Sequence, residues 1–294
     1  MLLNAVDPRF YELINAEAKL EPVSVGHSVT EGIMWWPQKH TLIFSDMKAG
    51  KVYEWNPKTF ETTCIRYPSN INNGNFIDKD GTIIACEHAT SLISRRMPDG
   101  RYYKPLATHY EGKELNSPND IISDSRGRIW FTDPTYGRGN GPAGIARECE
   151  LDFAGVYCLH PDGTLVLSRK DFEQPNGLCM EIGENTMLVN DTPRHEIRRF
   201  TVEKDGTLSG EGEVICHVDG RPDGTKIDRE GNIWTTATGN MQVFDKNGEL
   251  LGNLDIPGTC RNFCFGGEDL EYLYLACETI WRLPLKTRGA EYFK

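Results

Sequence analysis

Six short stretches of this chain repeat one design, and that repetition constrains the fold more than any other feature. They read EGIMWW from Glu31, NGNFID from Asn73, NDIISD from Asn119, NGLCME from Asn176, DGTKID from Asp223 and RNFCFG from Arg261. Each is followed by a turn and a strand-like run: LIFSD to Asp46, IIACE to Glu87, IWFTD to Asp133, MLVND to Asp191, IWTTA to Ala237 and LYLAC to Cys277. A period of roughly 45 residues built from strands and tight turns predicts a β-propeller, here with six blades.

Further strands complete each repeat. Third strands are predicted at GKVYEWN, SLISRRM, GVYCLHP, HEIRRFT, MQVFD and ETIWRLPL, and fourth strands at TTCIRY, YYKPLATH, TLVLSRKDF, GEVICHV and ELLGNLDI. Alternating apolar residues and the Asp80–Gly81, Arg126–Gly127, Asp162–Gly163 and Asn247–Gly248 turns mark the hairpins. The sixth repeat lacks a fourth strand, and LEPVSVG, Leu20 to Gly26, is expected to supply it. Such a closure joins the two ends of the ring and leaves no bare sheet edge. The expected organisation is all-β: one domain over 1–294, with 1–19 as an N-terminal extension carrying a helix-like piece that ends near Lys19. Residues 137–154, GRGNGPAGIARECELDFA, form a Gly-rich insertion over one mouth.

A formal net charge of −11 argues against nucleic acid or an anionic membrane as partner. Nine cysteines without a CxxC pair predict neither a thiolate zinc site nor a disulfide framework, and favour a reducing cytoplasm. Cys260 and Cys264 are placed on one inner strand, facing the same way. The N-terminal residues meet Asp7, Arg9 and Glu12 too early for a secretory apolar region.

The first strand of each propeller blade lines the central channel, so Glu31, Asn73, Asn119, Asn176, Asp223 and Arg261 should form a ring at one mouth. The second strand returns to that mouth and brings Asp46, Glu87, Asp133 and Asp191. Two roles are open for Asp46, Asp133 and Asp191: joining an acidic cluster, or capping backbone amides at the blade corners. One Asx-Gly alone reads as turn chemistry. A Glu and an Asp at the same ring position as three Asn are not what a turn predicts. Carboxylates with amide carbonyls are hard oxygen donors and point to a divalent cation, Ca²⁺ first, with Mg²⁺, Mn²⁺, Zn²⁺ or Fe²⁺ as alternatives.

These residues resemble the SMP-30/gluconolactonase/regucalcin family, six-bladed propellers that hydrolyse sugar lactones with a divalent metal. The resemblance is carried by EG at Glu31, SPND at 117–120, FTDPTYG at 131–137, QPNG at 174–177, PDG at 222–224 and CFGG at 264–267, with FTDPTYG and ACEH closest to the microbial sugar-lactonase branch. It implies that Glu31, Asn176 and Asp223 hold the metal and that Asn119 meets metal-bound water or substrate. Animal regucalcins carry an arginine two residues before that Asn, where this chain has Ser117. The implied reaction opens a small-molecule sugar lactone to its hydroxy acid. Asp223 is the first choice for proton acceptor, with Asp191 and Asp120 as rivals. Asn73, Asp120, His88, Tyr136 and Arg261 are further candidates for substrate contact, and Arg138 accompanies Tyr136. A related metal-dependent esterase or phosphotriesterase, or a non-catalytic calcium-binding propeller, remains an alternative.

Overall fold

The computed structural model describes residues 3–291; residues 1–2 and 292–294, at the ends of the expected domain, lie outside the described residues. Six antiparallel sheets of four or five strands follow one another along the chain, with a two-stranded ribbon, His109–Tyr110 and Lys113–Glu114, between the second and third. Blade 1 is Thr30–Trp36, Thr41–Asp46, Lys51–Trp55 and Thr62–Arg66, and blade 2 is Asn72–Ile77, Ile83–Glu87, Leu92–Arg96 and Tyr103–Ala107. Blade 3 comprises Ile121–Ser123, Ile129–Asp133, Ala154–Leu159 and Leu165–Phe172. Blade 4 comprises Pro175–Met180, Thr186–Asp191, Glu196–Val202 and Leu208–His217. Blade 5 is Thr225–Ile227, Ile233–Ala237, Asn240–Phe244 and Leu250–Asp255. Blade 6 is Asn262–Gly266, Tyr272–Ala276 and Ile280–Pro284, and Glu21–Ser24 is its fourth strand. Inner strands touch in the order 1, 2, 3, 4, 5, 6 and back to 1, which makes the six-bladed β-propeller.

Each interface between neighbouring blades holds one hydrophobic cluster, because both faces of every sheet must be covered. Ile33, Trp35, Phe44 and Trp55 meet Tyr274 and Ile280 between blades 1 and 6, and Trp130 and Val156 meet Leu178 and Met187 between blades 3 and 4. Inner and second strands are therefore buried nearly throughout. Their sequences read as apolar runs rather than strict alternation for that reason. Cys260 packs toward blade 5 and Cys264 toward blade 1, so the expectation that they share a face fails. The strand begins only at Asn262, and Cys260 lies outside its alternation.

Closure takes the expected form. Glu21 pairs with Arg282, Pro22 with Trp281 and Ser24 with Ile280, and the Arg282 guanidinium lies 2.7 Å from the Glu21 carboxylate. The residues before this strand differ from the expectation of a helix running toward Lys19. Leu3–Ala5 adds a fifth strand to blade 5, and the helix is one turn, Phe10–Leu13. Phe10 and Ile14 are fully buried among Trp234, Leu254 and Leu283. The segment therefore covers the outer interface of blades 5 and 6, a burial that sequence periodicity over four residues could not announce. Among the described residues no helix is long and apolar enough to cross a membrane.

Candidate functional site

The xG pairs that open the repeats have a structural cause beyond turn chemistry. Gly74 donates its N–H to the carbonyl of Asn119 (2.9 Å), Gly177 to Asp223 (3.0 Å) and Gly224 to Arg261 (2.8 Å). Each glycine thus grips the ring residue of the next blade. A Cβ on Gly32, Gly74 or Gly177 would collide with the carbonyl oxygen of Asn73, Asn119 or Asp223, and one on Gly224 with the Asn262 amide. Glycine is required because two backbones approach within hydrogen-bonding distance. Strand pairing slips by an irregularity between Glu31 and Met34, Asn72 and Asn75, and Pro175 and Leu178. Bulges of this kind re-aim the side chain beside them.

A second set of residues clamps ring carbonyls, those of Asp223 and Arg261 among them, and the sequence pattern did not reveal it. Ser45 Oγ donates to the Asn73 carbonyl (2.9 Å), Thr132 Oγ1 to Asn176 (2.8 Å), Asn190 Nδ2 to Asp223 (2.5 Å) and Thr236 Oγ1 to Arg261 (2.8 Å). All four precede the last residue of a second strand. The signal was present as a donor side chain in the run endings SD, TD, ND and TA, but a lone Ser or Thr near a strand end is too common to point to a clamp. Asn119, Asp223 and Arg261 lie just before their strands, so these clamps and glycines hold them where strand pairing does not.

The acids at the ends of the second strands do not join a cluster. Asp46 accepts the N–H groups of Ser28 (2.9 Å) and Val29 (3.3 Å), Asp133 those of Asn116 and Ser117 (both 2.8 Å), and Asp191 those of Glu173 (2.8 Å) and Gln174 (3.0 Å). In each case the donors are the residues three and two before the ring residue. Each carboxylate therefore pins the chain entering the channel. Glu87 is occupied by Arg66, Asn70, Thr90 and Ser94. The expected gathering of six acids at one mouth is corrected to a smaller set, and Asp191, a rival proton acceptor, has both oxygens engaged.

The smaller set is Glu31, Asp120 and Asp223, with Arg261 and Lys226 as the cations. Glu31 is buried, and its Oε2 accepts from Gly32 N–H and Asn262 Nδ2, both at 3.2 Å. Burial pushes its carboxyl up to about 7, opposed by the Arg261 guanidinium and reinforced by Asp120. Burial also raises Asp223 well above the carboxylate range, helped by the Glu31 charge; Arg261 and the Asn176 amide pull the other way. Asp120 accepts the Ile121 N–H (3.1 Å) and faces Lys226 Nζ at 3.8 Å. Lys226 did not stand out in the sequence, although it is a lysine on an inner strand, where apolar residues prevail.

Three further candidates sort differently. Tyr136 presents a buried hydroxyl beside Thr192, Arg221 and the Asp223 carboxylate. His88, a candidate for substrate contact, has both its ring nitrogens taken, by Asn73 Nδ2 (3.1 Å) and the Ala143 carbonyl (2.9 Å). Arg138 is buried against the Asn116 carbonyl (2.6 Å) and the Glu114 carboxylate (2.8 Å), so it fastens the insertion.

Among the described residues no group of three or more His, Cys, Asp and Glu side chains could hold a metal. A cation here would have to use amide oxygens beside Glu31 and Asp223. That donor set fits a hard divalent ion: a buried Glu31 and a half-buried Asp223 carboxylate whose charges repel, with the Asn176 amide against Asp223.

A profile of the SMP-30/Gluconolactonase/LRE-like region matches residues 29–279. The chain belongs to that family. It is 26% identical over 306 residues to the gluconolactonase of Zymomonas mobilis, covering 96% of this chain and 85% of that one. It is 25% identical to a pentonolactonase of Haloferax volcanii, with 83% and 80% covered. The solved structure of a Xanthomonas campestris gluconolactonase matches with a TM-score of 0.90 at 32% identity, covering 97% of this chain and 95% of that one. A calcium-binding regucalcin from Agrobacterium tumefaciens shares the fold, with a TM-score of 0.79 at 16% identity and 94% and 96% covered. In this SMP-30-family chain the ring thus brings together Glu31, Asp120, Asn176, Asp223 and Arg261, and leaves Asp46, Glu87, Asp133 and Asp191 at the corners.

Proposed function

We propose that this chain is a lactonase that opens a sugar lactone to its hydroxy acid at the ring mouth, with a divalent cation held by Glu31, Asn176 and Asp223. The observation that carries the reading is the pair of mutually repelling carboxylates, Glu31 and Asp223, whose ionisation burial opposes. The relatives named gluconolactonase and pentonolactonase support the substrate class. When bound, Ca²⁺ or another hard divalent ion would supply carbonyl polarisation and make water a better nucleophile.

The protein's own groups account for the remaining chemistry. Asp223, an ionised carboxylate at the reacting centre once the cation is bound, takes the proton of the attacking water. As the acyl C–O bond of the lactone breaks, the same proton passes to the departing ring oxygen, which becomes the hydroxyl of the product. Arg261 carries a buried Nη1 with no partner among the described residues, suited to the carbonyl oxygen as it gains charge and to the product carboxylate. Asn119, buried beside the mouth with its N–H tied to the Thr132 carbonyl (2.8 Å), orients a substrate oxygen. The Tyr136 hydroxyl offers a further donor.

The test is acid release from glucono-, galactono- and xylono-lactones by chelator-treated protein, with Ca²⁺, Mg²⁺, Mn²⁺, Zn²⁺ and Fe²⁺ restored singly. Rates are taken relative to spontaneous opening. Acceleration that needs an ion and is lost in a folded Asp223→Ala variant is expected. No acceleration with any pair would overturn the reading in favour of another ester class or a binding propeller.

A further inference from the structure

Asn73 stands in the ring, 3% exposed, and its Oδ1 is buried with no hydrogen-bond partner among the described residues. Its orientation follows from its neighbours. His88 Nδ1 lies 2.9 Å from the Ala143 carbonyl, which can only accept, so Nδ1 must carry a proton. Burial depresses the His88 ring to about 4, so the imidazole is neutral near pH 7 and Nε2 is a bare acceptor. The atom 3.1 Å from Nε2 must then donate, which places the Asn73 NH₂ there and turns Oδ1 away.

The carbonyl that starts this chain belongs to the mouth insertion. Ile145 N–H donates to the Gly137 carbonyl (2.9 Å) and Arg147 N–H to Arg138 (3.1 Å), so the loop is folded back on itself. The Arg147 guanidinium ties it down at the His88 carbonyl (3.0 Å) and Ser91 Oγ (2.5 Å). A Cβ on Gly137 would press on the His88 ring and Ser117, so there is no slack between loop and histidine.

Resting on the lactonase reading, we infer that Asn73 Oδ1 reads a hydroxyl of the sugar lactone, and that Ala143 and His88 fix the amide in the accepting orientation. A buried acceptor left unpaired is costly, and a polyhydroxylated ligand is the class that supplies a donor there. Residues 137–147 then influence substrate preference without touching substrate. Asn73 is the specificity residue, and His88 is a positioning residue that acts through it.

The experiment measures calorimetric affinity for a hydrolysis-inert sugar δ-lactam and for the ring-unsubstituted δ-lactam. It compares wild type, Asn73→Ala, His88→Ala, His88→Gln and the Asn73→Ala/His88→Ala double variant, with lactone turnover followed in parallel. The wild-type preference for the hydroxylated lactam should fall about tenfold in Asn73→Ala. It should fall partly in His88→Ala and less in His88→Gln, which keeps one donor and one acceptor. In the double variant His88→Ala should add nothing to that ratio, an epistasis that a merely structural histidine would not show. Unchanged preference in Asn73→Ala, with wild type turning over lactones, overturns the inference and leaves the lactonase reading standing. Additive effects of the two changes overturn the positioning role of His88. Wild type that neither binds the hydroxylated lactam nor opens a lactone overturns both.

Discussion

Changing Glu31 to glutamine keeps the shape and the acceptor for Gly32 N–H and Asn262 Nδ2 but removes a charge that burial opposes. The carboxyl goes from an ordinary 4.5 to about 7 on folding. Below pH 4.5 it is protonated in both states and contributes nothing to the pH dependence. Between the two values only the folded protein holds the proton, so stability declines as pH rises, and the full cost is present above pH 7. At ~1.4 kcal/mol per pH unit the difference amounts to about 3 kcal/mol. Metal-free Glu31→Gln should therefore melt roughly 5–10 °C above metal-free wild type at pH 8, and level with it near pH 4.5. Relief of the repulsion on Asp223 acts in the same direction. Asp133, pushed up to about 7 by burial, titrates in both proteins and cancels. The assay is scanning calorimetry in chelator across pH 4.5–8, repeated with Ca²⁺. Added ion should reverse the order, because only wild type keeps both carboxylates. A variant that melts at or below wild type at pH 8 without metal would refute the claim that Glu31 is strained when ionised.

Other consequences of the ring are equally direct. Gly177→Ala drives a Cβ into the Asp223 carbonyl and should cost more than tenfold in lactone turnover along with a lower Tm; normal turnover would show that the close approach is not needed. Thr236→Val removes the hydroxyl that clamps the Arg261 carbonyl and should cost about 1–2 kcal/mol in urea denaturation, with a further rise in KM if Arg261 meets the substrate. Phe10→Ala opens a cavity between blades 5 and 6 and should cost about 3–5 kcal/mol, read by urea denaturation, with no change in KM.

The repeat was legible because blades are local. Strand, turn, strand and turn follow within each repeat, so hairpin residues such as Asp80–Gly81 and Asn247–Gly248 declare themselves without reference to the rest of the molecule. The closing strand at Glu21–Ser24 was legible for a topological reason, since a ring with one strand missing demands it. Ring membership of Glu31, Asn176 and Asp223 could be read from position in the repeat.

What the sequence left open or missed has one cause. Asp46, Asp133 and Asp191 sit at the same repeat position, where ring acid and corner cap were both open, and two backbone N–H groups from the entering chain claim each of them. His88 looked like a polar group near substrate until a carbonyl 55 residues further on, Ala143, closed off its far nitrogen. Leu3–Ala5 and Phe10 found partners across the length of the chain, at Leu254 and Leu283. By itself the sequence determined the six blades and which side chains stand at the mouth, because both follow from a period that short-range hydrogen bonding enforces. Only the tertiary structure decided which of those side chains are free for chemistry, because a polar group's availability depends on donors and acceptors that arrive from other blades.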